Sequence, residues 1–286
     1  MGDETMPVPR SSYLSIGSHE IHLTTWGDPT APALVLWHGL ARTGRDFDTL
    51  ARHFADRYQV LCPDTIGRGL SSWSATPDDD YTIPTYCGHA IALLDQLGIA
   101  QCRWVGTSMG GLIGMALAGT PETAARIERL VLNDVAPRLN QSAIERILAY
   151  VTIVPEFANM SDFETFLRTV YAPFGRLTDA EWRLMAETSM RRRDSGRISS
   201  HYDPAVMRVF AEQFQDFDMW AVFDAITCPV LALRGAQSDL VEPQVAEEMT
   251  QRGPKPRLVT IPGCGHAPAL NTAEQIAVLD EFLAET

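Results

Sequence analysis

Apolar and polar positions alternate along most of the chain in a regular succession of strand-like and helix-like stretches. Tyr13–Ile16 and Glu20–Trp26 read as an opening antiparallel pair. Ala33–Trp37 is a continuous apolar run ahead of His38-Gly39, the pattern of a strand covered on both faces. Asp46–Phe54 has helical spacing, and Tyr58–Cys62 returns to strand before Pro63-Asp64. Ile83–Leu97 predicts a long amphipathic helix ended by Gly98. Strand Arg103–Val105, helix Leu112–Ala118, and strands Arg129–Asn133 and Pro229–Arg234 follow. Helix Pro243–Gln251, strand Arg257–Ile261 and helix Thr272–Leu283 complete the succession. Strands and helices of these lengths in alternation predict a mostly parallel sheet with helices on both faces, an α/β fold.

Residues from Ala136 to about Phe223 break the alternation. Ile144–Ile153, Asp162–Tyr171, Asp179–Ser189 and Pro204–Gln215 all read helical, with no strand between them. This stretch holds thirteen of the chain's twenty-four aromatic residues, and it falls between one strand of the sheet and the next. A helical cap inserted at 136–223 into a core made of 1–135 and 224–286 fits that position. Most of the aromatics are expected to pack the cap helices against one another. A minority should wall an apolar pocket, with Phe157, Phe166 and Trp220 as candidates.

The 286 residues can bury a full core. The balance of 36 acidic against 23 basic residues argues against a nucleic-acid partner. No apolar run approaches the roughly 18 residues of a membrane span. The start, Met1-Gly2-Asp3-Glu4-Thr5, is acidic and shows no signal peptide, and Met6 stands where an N-myristoylation motif at Gly2 needs Ser or Thr. Cys62, Cys87, Cys102, Cys228 and Cys264 form an odd set without C-x-x-C spacing, which fits reduced thiols and a cytoplasmic location.

The chemistry concentrates around Val105-Gly106-Thr107-Ser108-Met109-Gly110-Gly111, where a strand passes through G-x-S-x-G into a helix. A serine hydroxyl becomes a useful nucleophile only when it is presented, deprotonated and faced by oxyanion donors. A reversal within about one residue presents Ser108 on a strained backbone. The base should be His266, in the loop Pro262–Pro268 after the last strand, at the same sheet edge as the serine. Asp239, after strand Pro229–Arg234, is the expected acceptor for that histidine. Asp134, at the end of strand Arg129–Asn133, is the rival. The oxyanion hole should use the backbone N–H groups of Met109, after the serine, and of Leu40, after strand Ala33–Trp37. His38 reads as a support for that loop rather than a base.

Together, His38-Gly39, Asp64-Thr65-Ile66-Gly67-Arg68-Gly69-Leu70-Ser71, the serine turn, Asp239 and Gly265-His266 resemble an α/β-hydrolase over essentially the whole chain. The resemblance is to capped bacterial serine esterases, enol-lactonases and carbon–carbon bond hydrolases. It implies a mostly parallel eight-stranded sheet and a carboxylic-ester hydrolase acting on a small or medium acyl group, with neither metal nor organic cofactor. A small-molecule ester is the implied partner, and homo-oligomerisation is left open. Alternatives are a lactonase or carbon–carbon hydrolase with the same triad, and a ligand-binding receptor that turns over slowly. The H-G-G-G segment of many lipases is absent, since Leu40 follows Gly39, which counts against bulky tertiary-alcohol esters. Ser200-His201-Tyr202-Asp203-Pro204 resembles a segment of some bacterial hydrolases of hydroxyalkanoate oligomers, its plain reading being an N-cap aspartate before a helix-opening proline. Arg191-Arg192-Arg193 with Arg197 is either a solvated cap face or a carboxylate anchor.

Overall fold

The continuous apolar runs become the middle strands of one eight-stranded sheet. The computed structural model describes residues 8–151, 154–213 and 217–285. The acidic start with Gly2 and Met6, and the expected helix ends at Ile153 and Gln215, lie outside them. Sheet order is β1 (Arg10–Ile16), β2 (His19–Trp26), β4 (Gln59–Pro63), β3 (Ala33–Trp37), β5 (Cys102–Thr107), β6 (Ile127–Asn133), β9 (Val230–Gly235) and β10 (Arg257–Ile261). β2 runs antiparallel to both of its neighbours, and the other pairings are parallel.

β3 and β9 are buried along their whole length, as strands covered on both faces must be. On one face α3 (Ile83–Gln96), α4 (Met109–Gly119) and α9 (Trp220–Asp224) contribute Leu93, Leu112, Met115 and Phe223 to the core. On the other, α1 (Asp48–Phe54) and α11 (Ala273–Ala284) contribute Leu50, Phe54, Leu279 and Leu283. α2 (Pro77–Asp80) is one short turn ahead of α3, and α10 (Pro243–Gln251) joins β9 to β10. The helical spacing read from Asp46 resolves into a 3-10 turn, Gly44–Phe47, followed by α1. Thr82 caps α3, accepting the Thr85 N–H, and Gly98 ends it at φ 68°.

Between β6 and β9 the chain forms α5 (Gln141–Val151), α6 (Met160–Val170), α7 (Asp179–Ser189) and α8 (Pro204–Gln213). The expectation of no strand in this stretch is corrected. β7 (Met190–Arg192) and β8 (Ile198–Ser200) pair as a small antiparallel hairpin. Three-residue strands dominated by arginine and serine carry almost no hydrophobic period, so the pattern could not mark them. α6, α7 and the hairpin enclose their own apolar cluster, with Phe163, Leu167, Trp182, Met185 and Ile198 at its centre. α5 and α8 instead place Ile144, Val206 and Met207 in the main core.

The Ser200–Pro204 segment docks this layer onto the loop after β4. The Gly69 N–H donates to His201 Nδ1 at 2.7 Å, the Asp203 N–H to the Gly67 carbonyl at 2.8 Å, and the Tyr81 hydroxyl to Asp203 Oδ2 at 2.8 Å. Asp203 Oδ1 also accepts the Ala205 N–H at 2.9 Å, the capping role read from the sequence. Complete burial, helped by the nearby Arg42 charge, pushes the His201 pKa down to about 3 from the ordinary 6.5. Its neutral form is therefore part of the fold. The unfolded chain takes up that proton near pH 6.5 and the folded chain does not, so His201 supports the fold fully above pH 6.5 and progressively less toward pH 3. Unfolding free energy measured in urea should fall between pH 6.5 and 4, and more shallowly in His201→Gln, whose amide oxygen still accepts from Gly69. Identical slopes for the two proteins would contradict this.

Candidate active site

Ser108 sits at the reversal between β5 and α4 with φ 52° and ψ −116°, a conformation that costs a non-glycine residue about 1–3 kcal/mol. The reversal is tight because its two arms touch. A Cβ on Gly106 would run into the backbone of Gly110, and one on Gly110 into the carbonyl of Trp37. The Ser108 N–H is held by the Asn133 carbonyl at 3.0 Å.

Three side chains meet at this edge of the sheet. His266 Nε2 lies 3.0 Å from Ser108 Oγ, and His266 Nδ1 lies 2.7 Å from Asp134 Oδ2. With the Nδ1–H donated to the carboxylate, Nε2 is free to accept the serine proton. Asp134 is fully buried, with φ 53° at the end of β6. Its Oδ1 accepts the Gly235 N–H at 2.8 Å and its Oδ2 accepts the Ser238 hydroxyl at 2.7 Å. A buried carboxylate needs such partners, and here they also fix its direction.

The expected contact between Asp239 and His266 is not formed. Asp239 is exposed and forms a bidentate pair with Arg146 of α5 at 2.6 and 2.9 Å. The loop after β9 turns Ser238 inward and Asp239 outward, and the inward position serves as donor to Asp134. β6 is the strand next to β5, so its end delivers Asp134 beside the serine turn. Strand periodicity shows that both aspartates follow strand ends; it does not show which carboxylate faces in.

Leu40 and Met109 line the same cleft as Ser108 and His266. Met109 opens α4, where backbone N–H groups have no partner within the helix. Gly39 brings the loop after β3 against the serine, its missing Cβ lying 3.6 Å from Ser108 Cβ. His38 braces that loop. Its Nδ1–H donates to the Gly39 carbonyl at 2.7 Å and its Nε2 accepts the Thr65 N–H at 2.9 Å. Burial pushes its pKa down to about 4, so it stays neutral.

The cleft encloses about 1290 Å³ of empty space, open solvent at its mouth included. Leu112, Leu139, Ile147, Leu184, Phe210 and Leu240 give it an apolar wall. Its polar rim is internally paired, Arg42 with Asp46 at 2.7 Å and Arg45 with Asp48 at 2.8 Å. Phe157, Phe166 and Trp220, expected to wall the pocket, lie elsewhere. Phe157 pairs through its backbone with Ile198, and its ring packs on Phe163 and Phe166. Trp220 packs edge-on against Phe223, beneath the Arg252 guanidinium. These rings fill the spaces between helices; among the described residues, Tyr171, Phe174 and Phe210 from the stretch between β6 and β9, with Phe47 from before α1, are the aromatics that reach the cleft. Helical phase marks a face as buried without saying what buries it.

The arginine run also stays out of the cleft lining. Arg191 stacks on Trp73 at 4.3 Å, Arg192 donates to the Gly196 carbonyl, Arg193 to Ser199 Oγ and Arg197 to the Glu156 carbonyl. Ser238, which donates to Asp134, was missed in the sequence, because it reaches the site only through the neighbouring carboxylate.

A strained serine between strand and helix, a histidine from the last loop and a buried aspartate on one sheet edge define the architecture of α/β-hydrolases. Residues 34–279 match the model of the alpha/beta hydrolase family, and the chain belongs to that family. It is similar to a 3-hydroxybutyrate-oligomer hydrolase of Cupriavidus necator, 40% identical over an aligned length of 276, with 93% of each chain covered. A pimeloyl-[acyl-carrier protein] methyl ester esterase of Xanthomonas campestris is 28% identical over 88% of this chain and 95% of its own. Among solved structures, an alpha/beta hydrolase of Novosphingobium aromaticivorans superposes with a TM-score of 0.86 at 35% identity, covering 96% of this chain and 98% of that one. Family and relatives make this chain a hydrolase. Among the described residues no helix is long and apolar enough to cross a membrane.

The geometry ranks the two aspartates. Asp134→Asn should lower ester hydrolysis by about 10⁴-fold by favouring the wrong histidine tautomer. Asp239→Asn, which loses only an exposed ion pair, should stay within about threefold of the unaltered protein. Steady-state kinetics on p-nitrophenyl butyrate would check this, and the reverse order would return the acid role to Asp239.

Proposed function

We propose that this chain hydrolyses carboxylic esters of small or medium acyl groups through an acyl-enzyme on Ser108. The observation that carries the reading is the unbroken hydrogen-bond chain from Ser108 Oγ through His266 to Asp134, opening into an apolar cleft. His266 Nε2 takes the Ser108 proton as Oγ attacks the ester carbonyl carbon. The carbonyl electron pair moves to oxygen, which the Leu40 and Met109 N–H groups receive. Collapse of the tetrahedral intermediate breaks the bond to the leaving alkoxide, and His266 returns the proton to it. Water, deprotonated by His266, then attacks the acyl-enzyme and releases acid and free serine. Asp134 stabilises the imidazolium in both halves.

The family and the similarity to an oligomer hydrolase and a methyl ester esterase support ester substrates. The 40% identity to the 3-hydroxybutyrate-oligomer hydrolase favours short hydroxyacyl oligoesters, which fit an apolar cleft with a polar rim. Carbon–carbon hydrolysis has less support, because the cleft arginines are already paired with aspartates. A small-molecule substrate and a cytoplasmic setting remain part of the proposal.

The test is multiple-turnover kinetics on p-nitrophenyl acetate through octanoate and on linear 3-hydroxybutyrate dimer and trimer. Sustained turnover is expected, lost by three or more orders of magnitude in Ser108→Ala. Leu184→Ala and Phe210→Ala should move the preferred acyl length, each methylene gained or lost in the cleft being worth about 0.8 kcal/mol. A burst followed by a stall would indicate a receptor. Faster cleavage of vinylogous diketones than of esters would indicate the carbon–carbon reaction.

A further inference from the structure

Arg68 lies behind the oxyanion loop, in the segment Asp64–Ser71, and has no exposed surface. Its Nε–H donates to the Leu40 carbonyl at 2.9 Å. One terminal nitrogen donates to the Ile66 carbonyl at 2.8 Å and the Tyr86 hydroxyl at 2.6 Å, and the other approaches Met109 Sδ at 3.5 Å. All of these acceptors are neutral, and none of the ion pairs among the described residues involves Arg68. The rings of Tyr86 and Tyr81 flank it, 5.1 and 5.8 Å from the guanidinium carbon. A small cavity lined by Leu40, Met109, Tyr81 and Tyr86 adjoins it.

Burying a guanidinium without a carboxylate costs several kcal/mol, and an apolar or amide side chain of similar length would fill the space at lower cost. Neutral dipoles and aromatic faces recover part of that cost. The buried carboxylate of the same segment, Asp64, is taken up by His22 and by the N–H groups of Gly44 and Leu70, so among the described residues no carboxylate lies within hydrogen-bond reach of the guanidinium to offset the remainder. Two of the four groups Arg68 contacts belong to Leu40 and Met109, the residues whose N–H groups face the reacting carbonyl in the proposed mechanism. Negative charge appears there only in the tetrahedral intermediate. A fixed cation in a dry surround, already oriented, favours that state over the ester ground state.

We propose that Arg68 is a positioning residue for acyl transfer: it locks Leu40 and Met109 in place from behind, and its buried, unpaired charge stabilises the oxyanion through them. The inference rests on the acyl-enzyme reading above. It extends that reading to a group which does not touch substrate and which biases the site toward substrates that develop a full oxyanion.

The experiment compares Arg68→Gln and Arg68→Lys with the unaltered protein. Thermal unfolding establishes folding, p-nitrophenyl butyrate gives kcat and KM, and two inhibitors separate the states. n-Butylboronic acid forms a tetrahedral anion on Ser108; butyramide occupies the cleft as a neutral ground-state ligand. Arg68→Gln should lower kcat about 10²-fold, the scale of losing one oxyanion donor. Its boronate affinity should fall in step with kcat/KM, while KM and butyramide affinity change less than about threefold. Arg68→Lys, which keeps the charge and loses most of the hydrogen bonds, should recover at least about tenfold of that loss. Equal losses in Gln and Lys, a parallel fall in butyramide and boronate affinity, or a folded Arg68→Gln with near-normal kcat would each overturn the proposal. If Arg68→Gln does not fold, Arg68→Lys decides through its boronate affinity, and failure of both to fold makes Arg68 a structural strut and likewise overturns it. If the unaltered protein does not bind boronate, or Ser108→Ala remains active, it is the acyl-enzyme reading that fails.

Discussion

Ser108 holds a left-handed backbone conformation because α4 packs against β5 and β3 more closely than any side chain at Gly106 or Gly110 would allow. The cost of that conformation is met by the burial of the apolar helix against the sheet, where Leu112, Ile113 and Met115 are almost fully enclosed. The same packing places the Met109 N–H at the start of α4, next to the hydroxyl it would assist, and brings Gly39 against the serine. One close approach between a helix and two strands thus presents the Ser108 hydroxyl and sets the positions of Met109 and Gly39 beside it, as the proposed mechanism requires. Each other part of the site is arranged around this point.

The electrostatics are organised by burial. Asp134 is enclosed and receives hydrogen bonds from Gly235 and Ser238, so its carboxylate has one remaining direction in which to act, toward His266. His38 lies just as deep but is held neutral by desolvation, its Nδ1–H donating to the Gly39 carbonyl and its Nε2 accepting the Thr65 N–H. Two histidines that line the cleft therefore differ in their partners: one faces a carboxylate and a hydroxyl, the other a carbonyl and a backbone N–H. The segment carrying His201 couples the helical layer to the loop that contains Arg68, and the backbone of Pro173 and Phe174 receives the N–H groups of Gly265 and Ala269 on either side of His266. The segment between α6 and α7 is thus tied directly to the loop that carries His266.

Much of this was legible in the sequence. The apolar run at Ala33–Trp37 marked a strand buried on both faces, Pro229–Arg234 read as a strand, and the G-x-S-x-G turn named Ser108 because only strand–turn–helix context explains glycines at 106 and 110. His266 followed from its loop at the shared sheet edge. The rest depended on directions that periodicity does not encode. Asp134 and Asp239 both follow strands, Asp134 directly after β6 and Asp239 four residues after β9, and the turn between decides which carboxylate points inward. The aromatics between α5 and α9 were recognised as buried, yet burial against one another and burial against a cleft look alike in a helical pattern. The β7–β8 hairpin, four of whose six strand residues are arginine or serine, carried almost no hydrophobic period. Arg68 lay within a recognised motif, but its role comes from which carbonyls it reaches, which only the folded loops determine.

The central claim is that Ser108 becomes covalently acylated during turnover. Rapid acid quench of the protein mixed with excess p-nitrophenyl butyrate, followed by peptide mass spectrometry, measures this directly. The account predicts one butyryl group on the peptide containing Ser108 within the first turnover, at a level that tracks product formation and disappears when substrate is exhausted. Turnover with unmodified Ser108 at every quench time, or butyrylation of a different residue at a competent rate, would contradict it.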